Sequence, residues 1–129
     1  MPAVTIHYPR GFFDATDRVR FKRIVKQSVA TNMDAINPVT GKKTDYGADP
    51  DSFIDLLLVP YDPEDAEVTT PLLGTIVTYD WPDRVATLPD RVKAITRDAR
   101  HYLRNLVEDD KEAISFTFIG KRDGAWAVA

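Results

Sequence analysis

A chain of 129 residues is long enough to bury one hydrophobic core without disulfide or metal staples, and its 43% hydrophobic and 29% charged content is ordinary for a globular protein. It has no cysteine, which excludes disulfides, thiolate metal sites and a cysteine nucleophile together. A net charge of −3 argues against nucleic acid, whose binders carry a basic excess, and no apolar run approaches the roughly 18 residues of a membrane helix.

The opening MPAVTIHYPR has neither a basic n-region nor an apolar h-region. It does not read as a signal peptide, and a cytoplasmic location is expected. Residues 3–8 alternate as a strand with Val4, Ile6 and Tyr8 on one face, and Pro9 and Gly11 end it. Asp14 then caps a helix, with Asp17 in its first turn. Phe21, Ile24, Val25, Val29 and Met33 form its apolar stripe, Arg18, Lys22, Arg23 and Lys26 its wet side, and it fades by residues 32–34.

Residues 37–51 are rich in turn formers and lack periodicity, so they read as a long loop. The run FIDLLLV, residues 53–59, is nearly continuously apolar and reads as a buried strand. Residues 60–71 break the chain again at a joint between halves. Residues 72–79 predict a third strand, followed by a Trp81-Pro82-Asp83 turn. Thr87 with Asp90 resembles a capping box, with Pro89 in the first turn. The stripe Val92, Ile95, Ala99, Tyr102, Leu103 and Leu106 follows at helical spacing. Residues 113–119 alternate as a fourth strand with Ile114, Phe116 and Phe118 together, Arg122-Asp123-Gly124 signals a turn, and residues 125–128 add a short strand.

The second half repeats the first. Thr5-Ile6-His7-Tyr8 parallels Thr75-Ile76-Val77-Thr78-Tyr79, and Ala15-Thr16-Asp17-Arg18-Val19 parallels residues 86–92 with a short gap. The expected organisation is therefore one α+β domain, residues 1–129, of two tandem β-α-β halves, 1–62 and 70–129.

Chemistry-bearing motifs are few. There is no phosphate-cradling glycine loop, no HExxH and no Gly-x-Ser-x-Gly. With two histidines and no cysteine, a zinc site would need carboxylates from scattered places, and no metal is expected. His101 reads as a surface residue on the second helix. His7 sits opposite the strand's apolar face, as a packing, interface or catalytic residue. Asp45, Asp49 and Asp51 lack the spacing of a calcium loop. The distinctive position is Pro2. Removal of Met1 exposes a secondary amine at the start of a strand. Such an amine titrates near 8 when unperturbed and lower when desolvated or near cations. A neutral amine in an apolar pocket can take a proton beside a carbonyl and return it elsewhere, or form an imine. With Met1 retained, Pro2 is an amide and has no basicity.

The duplication, the chain length and Pro2 opening the first strand resemble the tautomerase superfamily, with PAVTIHY, GTIVTYDWPDR and AISFTFIGK as the local motifs. The last two look most like the second half of the isomerase and dehalogenase groups. The resemblance implies a four-stranded mixed sheet with two helices on one face and a trimer of the two-half unit. It also implies cofactor-independent tautomerase or isomerase chemistry on a small 2-oxo or enol carboxylic acid, with dehalogenation or decarboxylation as variants. Pro2 takes the role of general base and acid. Arg84 matches the family's turn arginine, with Arg10 as a second match, and an arginine fork suits a carboxylate. Trp126 and Phe116 would line an apolar wall, and Tyr46 would reach in from the long loop as an acid partner. The usual Gly-Arg-Ser turn is absent from both halves, and the 37–51 loop is longer than the family norm. Two further readings fit the same sequence. One is an inactive or ligand-binding member of this fold. The other is a ferredoxin-like module for a small ligand or a partner, whose sheet would be antiparallel.

Overall fold

The computed structural model describes residues 2–34, 36, 39–43, 45–79, 86–107, 113–122 and 125–126, with the backbone alone at Tyr79, Lys121, Arg122, Ala125 and Trp126. Strand β1 spans Ala3–Pro9 and helix α1 Ala15–Asn32. A short helix α2, Pro50–Phe53, precedes β2, Asp55–Tyr61. The second unit is β3, Leu72–Tyr79, α3, Leu88–Leu103, and β4, Ile114–Arg122, followed by a two-residue β5, Ala125–Trp126.

The sheet order is β2-β1-β3-β4-β5. Within each unit the strands pair in parallel, Thr5 beside Leu57 and Thr75 beside Thr117. The two units meet through the antiparallel β1–β3 pair. Parallel neighbours require a crossover, which α1 and α3 supply. These parallel pairs exclude the antiparallel ferredoxin-like arrangement. Thr5 faces Thr75 directly, so the two threonines that begin the matched sequence segments sit where the two units are related.

Alternation decides which face is covered. Val4, Ile6, Leu72, Ile76 and Ile114 are buried under α1 and α3, in one cluster with Phe21, Val25, Val29, Met33, Ile95 and Leu103. An aromatic chain stitches this layer together: Tyr8 meets Phe13 at 5.3 Å between ring centroids, Phe13 stacks on Phe21 at 4.9 Å, and Phe21 meets Tyr102 at 5.9 Å. Between the helices, Ser28 Oγ donates to Asp98 Oδ2 at 2.6 Å. On the opposite face, Ala3, His7, Leu57, Ser115 and Thr117 are exposed, and Leu73, Val77 and Ile119 are half-buried.

Local chemistry fixes the ends. Asp14 is extended and its carboxylate accepts from the Asp17 amide at 2.7 Å, the expected cap. Thr87 differs from expectation: it occupies the cap position of α3 without a side-chain cap bond, and its hydroxyl accepts from Arg91 Nε at 2.7 Å. Arg91 in turn donates to the carbonyls of Asn32 and Asp34 at 2.8 and 2.7 Å, tying the end of α1 to the start of α3. The 37–51 loop also differs, since Tyr46–Ala48 form a 3₁₀ turn and Pro50 opens α2. Phe53 ends that helix, so β2 starts two residues later than the apolar run implied. Nor is β2 buried on both faces: it lies at a sheet edge, and Leu57 is 60% exposed.

Tyr61, at the end of β2, donates its hydroxyl to the Pro71 carbonyl at 2.6 Å and clasps the segment joining the units. Burial raises its pKa above the ordinary value of 10. Burial and the neighbouring Asp17 carboxylate do the same for Tyr102, whose hydroxyl lies 3.2 Å from Asp17 Oδ1. A raised folded-state pKa means that the folded chain holds these protons more tightly than the unfolded chain. Their contribution is then complete below about pH 10 and lost as pH rises through the raised values. Stability measured by urea titration is expected to fall above about pH 10, with a shallower fall in Tyr61→Phe and Tyr102→Phe. An unchanged alkaline limb in both variants would contradict this.

Candidate functional site

Pro2 is buried at the start of β1, the strand with a parallel neighbour on one side and an antiparallel neighbour on the other. Its carbonyl accepts from the Asp55 amide at 3.3 Å, which anchors the chain's start to the start of β2. Because β1 and β3 run antiparallel, Ala3 pairs with Val77. The end of β3 therefore lies at the Pro2 end of the sheet. Val4, Ile6 and Tyr8 share Pro2's phase in the alternation, which turns the pyrrolidine toward the helix-covered side.

That geometry sorts the sequence-predicted residues. Arg84 lies outside the described residues. The end of β3, Tyr79, lies at Pro2's end of the sheet. The Trp126 backbone pairs with Lys121, which pairs with Tyr79, so it belongs to this end. It stands three strand spacings from β1, about 14 Å across the sheet. Tyr46 is buried, with its ring 5.2 Å from Phe53 at the entrance to β2. It is held there as part of the core, with the neighbouring Gly47 carbonyl accepting from Gln27 Nε2 at 3.2 Å.

Arg10 is placed elsewhere. It follows the last residue of β1, its amide donates to the Tyr61 carbonyl at 2.8 Å, and its Nε meets Asp62 Oδ1 at 2.8 Å. The whole of β1 lies between it and Pro2 within one chain, about 26 Å of extended backbone. Phe116 covers Gly74 on the neighbouring strand, where an added methyl would come within 2.5 Å of the ring. It packs the middle of the sheet. His7 is exposed on the uncovered face and His101 is exposed on α3.

Sequence reading missed Thr78. It is 3% exposed, and its hydroxyl has no hydrogen-bond partner. Its phase with Leu72, Gly74 and Ile76 was available as a signal, being a polar residue at a core position of a strand.

Several concavities lie against the helices, away from Pro2, and two of them are the more substantial candidates. One, of about 370 Å³, is lined by Lys22, Arg23, Lys26, Asp51 and Leu56, with Lys26 Nζ 3.1 Å from Asp51 Oδ1. The other, of about 560 Å³, lies between α1 and α3 over Ser28, Asp98 and His101. Neither contains a residue predicted to carry chemistry. Among the described residues no three of His, Asp and Glu converge as a metal would require, and no helix is long and apolar enough to cross a membrane.

No family model matches the sequence and no curated protein matches it. Solved structures do match the fold. A wild-type fused 4-OT described as a symmetric trimer aligns with a TM-score of 0.67 at 13% identity, over 98% of this chain and 91% of its own. Malonate semialdehyde decarboxylase aligns at 0.64 and 6% identity, over 98% and 90%. A protein inactivated by 2-oxo-3-pentynoate aligns at 0.64 and 11% identity, over 93% and 85%. These are tautomerase-superfamily structures, and the chain has their fold.

Proposed function

We propose that this chain, built on the tautomerase fold, is a cofactor-independent isomerase whose general base and acid is the amine of Pro2, released when Met1 is removed. The observation that carries the reading is the placement of Pro2. It is buried at the head of an interior strand, at the sheet end where β3 finishes. The neutral nitrogen takes a proton from the enol oxygen, or from the carbon beside a carbonyl, and returns it at another carbon, so that substrate and product are isomers. The substrate class is a small 2-oxo or enol carboxylic acid. Arg84 grips its carboxylate, and proximity to that cation also favours the uncharged form of the amine.

Arg10 enters this scheme only from a second copy, because its own Pro2 is a strand length away. A trimer of two-unit chains, each covering its open sheet face with its neighbours, supplies both that arginine and a cover for Leu57, Leu73, Val77 and Ile119. Trp126 is proposed as the pocket's apolar wall from a neighbouring copy, and Tyr46, packed in the core beside the start of β2, as a buried support rather than an acid partner. The chain is taken as one domain acting in the cytoplasm, without nucleic acid or membrane.

The test uses Met-processed protein, verified by intact mass. It is expected to convert phenylenolpyruvate to phenylpyruvate and to be labelled at Pro2 by 2-oxo-3-pentynoate. In that labelling the nitrogen adds to the alkyne carbon conjugated with the ketone and its proton passes to the adjacent carbon. The Pro2 peptide therefore gains the full reagent mass. Processed protein that neither turns over nor labels would leave the fold without this activity, and a natural protein that retains Met1 would do the same.

A further inference from the structure

A buried hydroxyl without a partner is uncommon in a folded protein and calls for a cause. Among the described residues Thr78 Oγ1 is such a group, in a residue 3% exposed. The β1–β3 register, continued one step past Ala3 and Val77, sets Thr78 directly opposite Pro2. Residues so placed have Cβ atoms about 5 Å apart and side chains on the same face. Both residues are buried, in phase with Val4 and Ile6 on one strand and Leu72 and Ile76 on the other.

The relation between the two units sharpens the point. Under the match of Thr5 to Thr75, the counterpart of Thr78 is Tyr8, and the counterpart of Pro2 is Leu72. Tyr8 and Leu72 are opposite one another by the same register and are both packed into the core. The fold thus fills this pair of positions with apolar bulk at one end of the sheet. At the Pro2 end it places a small side chain with an unused oxygen.

We propose that Thr78 is a positioning residue for the Pro2 amine. With Met1 removed, Pro2 is a secondary amine whose neutral form has one N–H and one lone pair. Thr78 Oγ1 accepts that N–H, which leaves the lone pair free to face the substrate. The hydroxyl is itself unconsumed, and the proton taken from substrate occupies the other position on nitrogen. The inference rests on the proposed base role of Pro2.

The experiment compares Thr78→Val, which keeps the shape and removes the oxygen, with Thr78→Ser, which keeps the oxygen. Both are prepared as Met-processed protein beside wild type and Pro2→Ala. Thr78→Val is expected to lower kcat on phenylenolpyruvate about tenfold, the scale of one hydrogen bond to an ionisable group, with KM within about twofold. Labelling by 2-oxo-3-pentynoate is expected to slow by a similar factor, and Thr78→Ser to recover most of both rates. Equal losses in Val and Ser would mean that shape matters and the oxygen does not, which overturns the inference. So would wild-type rates in Thr78→Val while Pro2→Ala is inactive, and in that case the base role of Pro2 survives. Wild-type turnover and labelling in Pro2→Ala would overturn both. Should Thr78→Val not fold, Thr78→Ala takes its place in the same comparison with Ser.

Discussion

Phe21→Ala is expected to lower unfolding free energy by about 3–5 kcal/mol, the usual cost of deleting a buried aromatic ring. Phe21 is fully buried, and its ring is the middle link between Phe13, which follows β1, and Tyr102 on α3. Removing it therefore opens a void bordered by three separate elements, which cannot all close on it at once. Domains of this kind are stable by only about 5–15 kcal/mol, so the variant stands near the limit of folding. Urea unfolding with an unchanged m-value measures the effect. Phe21→Leu, which retains most of the volume, should lose markedly less. A loss below about 1 kcal/mol for Phe21→Ala would mean that the aromatic chain is dispensable and that the core is held elsewhere.

The same residues explain how far the sequence could be read. The first strand and both long helices were legible because alternation, helical stripes and the Asp14 cap agree on their positions. The β-α-β duplication was legible because Thr5 and Thr75 start matched segments, and these two residues face one another in the sheet. The start of β2 was not, since a continuous apolar run carries no phase. Pro50 at the head of α2 takes Phe53 into a helix, and edge position leaves Leu57 exposed. Thr87 was misplaced for another reason: it has the spacing of a capping box, but its hydroxyl serves Arg91 instead.

At the proposed site, Pro2 stood out because removal of Met1 would turn that position into an amine, and the family resemblance supplied the role proposed for it. The separation of Arg10 from Pro2 was not, because both flank the same strand and only the strand's length sets them apart. Thr78 was hidden for a different reason. Threonine is an ordinary strand former, and its relation to Pro2 exists only across the β1–β3 register, some seventy residues away along the chain. Local patterns place residues on faces. Pairing between distant strands decides which faces share an end.

Pro2→Ala on Met-processed protein is expected to reduce turnover of phenylenolpyruvate about 100- to 10,000-fold, the range contributed by a positioned acid or base. The comparison isolates position from basicity. Alanine at the same place still offers an amino-terminal amine with an ordinary pKa near 8, and its carbonyl can still accept from the Asp55 amide. What it loses is the pyrrolidine ring, which locks rotation about the N–Cα bond and so the direction of the nitrogen's N–H and lone pair. It also gains a second N–H that competes for the same surroundings. Pro2 is buried, so losing its ring carbons is expected to cost about 1–2 kcal/mol, and the two proteins are compared where urea unfolding shows both fully folded, so that the activity difference is chemical. The Met1-retaining form of the wild-type sequence provides the opposite control. It keeps the ring and acylates the nitrogen, and it should be inert toward both phenylenolpyruvate and 2-oxo-3-pentynoate. Turnover by that form would place the working base on another side chain, because an amide nitrogen has no free electron pair to give a proton a seat.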